Sequence, residues 1–326
     1  MLLFKAPFEM TDSRSVFLES GLLSANGGLV NTGIRPLDAA GFPLPNKINL
    51  SSDTFQVEEY LKFKRYKNSD GSIVESQDYL DDTWFVSRGL RPVNLVYGAR
   101  FLDGKGLAAK LNENKLRDIA KNADPLQHVS LDAEEWNQYR FQPNKPLPDG
   151  QTIVQNLAKI VSFFKQVNPA AQVGLYSEVP QNTYGYNEKT AAIYDKLNPE
   201  YVKVAKAVDY YSPSLYNYGH YDGTAEADMK WRQAAEYAAH ACQLLDNLNQ
   251  SSKPVFPYIS PGWKDKSGQQ RYLTYDQMHF RLTSLKALNA KGCILWLSSN
   301  AKEQDGGEGL ALDPYNGWLK AAIDFQ

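Results

Sequence analysis

The chain has 326 residues, 43% of them hydrophobic and 22% charged, enough to bury a full core as one large domain or two smaller ones. Lys and Arg number 35 against 37 Asp and Glu, and the net charge of −2 gives no electrostatic case for nucleic acid or an anionic membrane. A locally basic groove for an anionic ligand is still compatible with that balance.

In chain order, residues 1–84 are punctuated by Gly, Asn, Ser and Pro. Phe55–Tyr66 alternates loosely and meets Ile73–Val74 across Asn68-Ser69-Asp70-Gly71, a hairpin-like turn. These residues read as a small β-rich N-terminal appendage of unknown role. The start, MLLFKAPFEM, carries Lys5 and Glu9 and makes a poor signal peptide. From about residue 85 short apolar runs alternate with helical patterns. The runs are Arg91–Gly98, His128–Glu134, Gln172–Val179, Ala207–Ser212, Pro254–Ile259 and Gly292–Leu297. Between them, residues 152–166 place Ile153, Leu157, Ile160, Val161 and Phe164 on one stripe. Residues 225–248 and 275–290 repeat the pattern. Such alternation predicts an α/β fold, and 85–326 has the size of a (β/α) TIM-like barrel, possibly seven-stranded. No glycine fingerprint follows any run, which disfavours an open nucleotide-binding sheet. No apolar run approaches the ~18 residues of a membrane span. Cys242 and Cys293 sit in segments that read as core.

The stretch His128-Val-Ser-Leu-Asp-Ala-Glu-Glu-Trp136 carries the chemistry. In a strand, side chains alternate between faces. Val129, Leu131 and Ala133 form an apolar face, while Ser130, Asp132 and Glu134 form the other. At a barrel's C-terminal strand ends the inner face is the active-site floor. Two carboxyl groups roughly 6–7 Å apart repel unless one keeps a proton, and such a proton serves general acid catalysis. Paired carboxyl groups also cleave glycosidic bonds. The high tyrosine count, 20 against 14 Phe and 6 Trp, fits a carbohydrate cleft, as it also fits a protein interface. Trp136 would wall such a site.

Leu131-Asp-Ala-Glu-Glu-Trp136 resembles the Asp-x-Glu-x-Trp strand of the hyaluronidase family, hydrolases of N-acetylhexosaminide bonds in glycosaminoglycans. Tyr210-Tyr-Ser-Pro-Ser-Leu-Tyr-Asn217, Pro254-Val-Phe-Pro-Tyr258 and Gly292-Cys-Ile-Leu-Trp-Leu-Ser298 are similar to further family segments in the same order. The likeness covers roughly residues 91–326. It implies Glu134 as the proton donor and Asp132 as the group that orients the substrate's own N-acetyl nucleophile. It also implies Tyr210 and Tyr258 as hydrogen-bonding groups around the sugar, and Trp296 as the wall beneath it. Tyr176, Glu178 and Tyr216 are further candidates for substrate contact. Asn137-Gln138 stand where the family has Arg-Pro after the tryptophan, and its disulfides are absent.

The expected function is therefore an endo-acting glycoside hydrolase cleaving N-acetylhexosaminide bonds in a polysaccharide by substrate-assisted, retaining catalysis. No cofactor is implied. The four histidines share no metal-ligand spacing. A polymeric substrate implies work outside the cytoplasm. Two alternatives stand beside this reading. One is a two-carboxylate retaining glycosidase with a separate nucleophile such as Glu178. The other is a non-catalytic carbohydrate-binding barrel.

Overall fold

The computed structural model describes residues 54–181, 188–218, 221–304 and 306–325. Gln56–Leu61 pairs in parallel with Gly292–Leu297 on one side and with Arg91–Pro92 on the other. Past Val93 that second strand continues as Asn94–Tyr97, which pairs with His128–Asp132, and His128–Asp132 pairs with Gln172–Leu175. Single parallel bridges carry the circuit onward, from Tyr176 to Ser212, from Tyr211 to Val255 and from Ser214 to Tyr258. Tyr258–Ile259 then returns it to Gly292–Leu297. The pairings close on themselves with all seven strands parallel, the α/β barrel that the alternation predicts.

One strand lies elsewhere than expected. Gln56–Leu61 belongs to the barrel wall, bonded to strands on both sides, and not to an appendage ending at residue 84. Its sequence, QVEEYL, hides the two-residue period because Glu58 and Glu59 are adjacent and both buried. Glu58 meets His128 Nδ1 at 2.7 Å. Glu59 takes the Leu61 N–H at 2.8 Å, and burial pushes its carboxyl up to about 8. The hairpin is present: Arg65–Lys67 pairs with Ile73–Glu75 across the turn, and Ala311–Leu312 adds a third strand. The rest of the appendage, residues 1–53, lies outside the described residues.

The helices form where the stripes fall. Ile153–Val167 starts at a capping box, with Thr152 and Gln155 each accepting the other's backbone N–H, and buries all five stripe residues. Each buried aliphatic or aromatic side chain contributes roughly 1.5–3 kcal/mol. Ala225–Asn249 buries Trp231, Ala234, Ala235, Ala238, Cys242 and Leu245, and Tyr275–Ala287 opens on a second capping box at Thr274 and Gln277. Outward-facing strand residues such as Val57, Val129, Leu131, Val173 and Leu295 pack under these helices. A separate cluster of Val93, Leu95, Tyr176, Tyr210, Phe256, Tyr258 and Ile294 fills the barrel interior. Cys242 and Cys293 are free and buried, as their segments predict. Among the described residues no helix is long and apolar enough to cross a membrane.

Candidate active site

Strand His128–Asp132 ends at Asp132, and the chain turns at once into the 3-10 helix Glu134–Tyr139. Asp132 therefore sits at the C-terminal mouth and Glu134 on the first residue of the turn. Gly98, at the end of the preceding strand, lets the two strand ends close up. A Cβ there would lie 2.9 Å from the Asp132 carbonyl oxygen. Both carboxyl groups line one open cavity of about 600 Å³, together with Tyr97, Gly98, Glu135, Asn137 and Gln138. Neither forms an ion pair among the described residues, and Asp132 Oδ1 is buried without a hydrogen-bond partner.

The electrostatics favour protons on these groups. Burial, and then the charge of Glu134, pushes Asp132 up to about 7. Glu134 is exposed at the mouth. Partial shielding raises its carboxyl above the ordinary range, against the 2.9 Å hydrogen bond from Asn137 that lowers it. Asn137 thus holds the Glu134 carboxyl without adding a positive charge beside it.

A third carboxyl lies behind the pair. Glu178 is buried, and its Oε1 has no hydrogen-bond partner. Burial, reinforced by Glu134 and Asp132 and opposed by Arg140, pushes it up to about 8. Its backbone is fastened by Gln181, whose amide donates to the Glu178 carbonyl and which is itself locked to Asn198. Glu178 therefore stands behind the cavity and not among the residues that line it.

Beside the cavity, Trp296 and Tyr216 pack against the interior cluster that holds Tyr176 and connect to the cavity wall through Tyr97. Trp296 stacks on Tyr216 with centroids 5.5 Å apart and planes inclined by 19°. Its indole N–H donates to the Tyr97 hydroxyl at 3.2 Å. Tyr176 lies between Tyr216 and Tyr258, at 6.0 and 4.8 Å. The structure thus brings Trp296, Tyr216 and Tyr176 together near the acid pair.

Three expected contacts are placed elsewhere. Trp136 is fully buried in the core beneath the helices, because a 3-10 turn rotates about 120° per residue and carries it away from Glu134. Tyr210 faces inward but lies deep in the barrel. Its hydroxyl donates to the Val129 carbonyl at 2.9 Å, and its ring meets His128 at 4.6 Å. Tyr258 is also inward and fully buried, below the level of the cavity. Tyr97 and Asn137 are site residues that motif reasoning passed over. For Tyr97 the signal was its position at a strand's C-terminal end, immediately before Gly98. Among the described residues no group of three or more His, Cys, Asp or Glu is placed to hold a metal.

No family model matches the chain, and no curated protein matches it. Its fold is nevertheless found among solved structures of TIM-barrel polysaccharide hydrolases. It is similar to bee venom hyaluronidase, at 17% identity and a TM-score of 0.50, over 75% of this chain and 91% of that one. It also resembles a chitinase domain from Pyrococcus furiosus, at 12% identity and a TM-score of 0.43, over 88% and 96%. A chitinase from Chromobacterium violaceum matches at 10% identity and 0.42, over 83% and 91%. At these identities the likeness extends to the fold.

Proposed function

We propose that the chain is an endo-acting glycoside hydrolase that cleaves N-acetylhexosaminide bonds in a polysaccharide, with the substrate's own acetamido group as nucleophile. The observation that carries this reading is the convergence of Asp132 and Glu134 on one open cavity at the barrel mouth. Glu134, exposed and raised, gives its proton to the glycosidic oxygen as the bond to the anomeric carbon breaks. The acetamido oxygen attacks that carbon from the opposite side. Asp132 accepts the amide N–H and balances the positive charge that develops there. Water then opens the intermediate, with Glu134 recovering its proton, and the configuration is retained. The Trp296–Tyr216 stack supplies a flat apolar surface for the pyranose, with the Tyr97 hydroxyl beside it.

Glu178 fits the two-carboxylate alternative poorly. Glu178 is buried behind the cavity that Asp132 and Glu134 line, out of reach of an anomeric carbon held between them, and burial favours its neutral form, a poor nucleophile. A solely binding role fits poorly too, since the acids of an inactive barrel would be paired with cations.

Incubation with a panel of N-acetylhexosamine polysaccharides, with products read by mass spectrometry, tests the activity. On the polymer that is cleaved, Glu134→Gln should lower kcat by about 10²–10⁴-fold while the circular dichroism spectrum is kept. Near-normal turnover in that variant removes Glu134 from the role of acid. Inverted configuration in the first-formed product removes the internal nucleophile.

A further inference from the structure

Beneath Asp132 the inner face of the barrel keeps polar atoms that the mechanism above does not use. Ser130, one inward position below Asp132 on the same strand, is fully buried, and its Oγ has no hydrogen-bond partner. From the opposite wall Tyr258 reaches across, its ring edge-on to Tyr176 at 4.8 Å. Its hydroxyl is also buried and unpartnered. It lies beside Ser130 and within the field of Asp132, yet forms a complete hydrogen bond with neither. Asp132 Oδ1 is the third such atom. An unmatched buried polar group opposes folding, and a valine and a phenylalanine at these positions would avoid two such penalties. Neighbouring inward positions are filled in that way, by Val93, Leu95, Phe256 and Ile294.

We propose that Ser130 and Tyr258 are positioning residues for Asp132, a pair of hydroxyls that support its carboxylate from below and hold it turned toward the acetamido group. This rests on the reading of Asp132 as the orienting carboxylate. In this arrangement the Tyr258 O–H donates to Ser130 Oγ, beside which it lies, and the Ser130 O–H in turn donates to Asp132 Oδ1 at the next inward position of the strand. A donor to the charged form stabilises that form. The support therefore opposes burial and the acidic neighbours, keeping Asp132 an anion at a pH where Glu134 still carries its proton. The groups that face Asp132 are Glu134 from the following turn, Glu178 from the next strand end, Tyr97 from the preceding strand end, and Tyr258 from across the barrel. Tyr258, fully buried, acts through Asp132 and does not touch the sugar.

Carboxyl-carbon NMR of the full chain tests this, with the Asp132 signal assigned as the one lost in Asp132→Asn. In Ser130→Ala and in Tyr258→Phe, which removes one oxygen and keeps the ring, the Asp132 titration midpoint should move to higher pH. On a cleaved polymer, kcat should fall about tenfold, the scale of one lost hydrogen bond, while KM stays within about twofold. A midpoint unmoved in Tyr258→Phe overturns the proposal. So does a raised KM with kcat preserved, the signature of direct sugar contact. The titration needs no turnover, so a moved midpoint in a chain that cleaves no glycan supports the positioning role and sinks only the hydrolase reading.

Discussion

Asp132, Glu134 and Glu178 place three carboxyl groups within one another's field on the inner rim of the barrel, and each is held above its ordinary range mainly by burial. An arrangement that keeps protons available for chemistry opposes folding as the pH rises. The Glu178 carboxyl ionises near 4.5 when exposed and near 8 when folded. Between those values the native state binds more protons than the unfolded chain, so the Glu178 contribution to stability falls from about pH 4.5 to about pH 8 and is constant above. Asp132 acts in the same direction between 3.8 and about 7. Glu178→Gln keeps the shape of the neutral acid and cannot ionise. Its melting temperature relative to the unsubstituted chain is expected to climb from pH 5 to pH 8 and then level off, as scanning calorimetry can follow. A difference that stays flat across that window shows Glu178 to be ionised throughout. The acids were legible in the sequence because an apolar/acidic alternation names the inward side. Depth along the barrel axis has no such signal. Tyr210 and Tyr258, which the resemblance implies as sugar contacts, point inward, yet one is bonded to the Val129 carbonyl and the other is buried beneath Asp132.

At the scale of elements, the strands legible in the sequence are those whose burial follows a simple period. His128–Asp132 buries apolar residues toward the helices and presents His128, Ser130 and Asp132 inward. Gln56–Leu61 is legible as a strand but not as a barrel strand, because its inward Glu58 is matched by His128 and its outward Glu59 is buried beside it, so polarity no longer reports direction. The Glu134–Tyr139 turn escaped for another reason. The strand period stops at Asp132, and carrying it further misplaced Trp136 while leaving Glu134 at the cavity. Packing between strands is equally specific. Gly174 leaves room for Tyr210, whose ring carbons would lie 2.5 Å from a Cβ built there. Gly174→Ala forces the ring or the strand to shift, and overpacking of this kind costs about 1–3 kcal/mol. Urea denaturation should show that loss as a lower midpoint with an unchanged slope. An unchanged midpoint would mean that the tyrosine has another place to go.

At the scale of the whole molecule, closure of the sheet decides where the folding unit begins. Turn-rich composition through residue 84 suggested a boundary there, but Gln56–Leu61 bonds to both Gly292–Leu297 and Arg91–Pro92. A chain beginning at residue 85 would leave unpaired backbone edges on those two neighbours, an invitation to aggregate. It would also remove Phe55, Val57 and Leu61 from the core shared with Leu295, Leu319 and Ala322. The interior would suffer as well, since His128 would lose Glu58 at the base of the strand that carries Asp132 and Glu134. The cavity at the mouth depends on that strand's position, so the site and the closure stand together. Residues 85–326 expressed alone are therefore expected to give an aggregated or loosely collapsed chain with no cooperative thermal transition, by size-exclusion chromatography and circular dichroism. A monomer of 85–326 that melts cooperatively would show that six strands close without Gln56–Leu61, and would restore the boundary at residue 84.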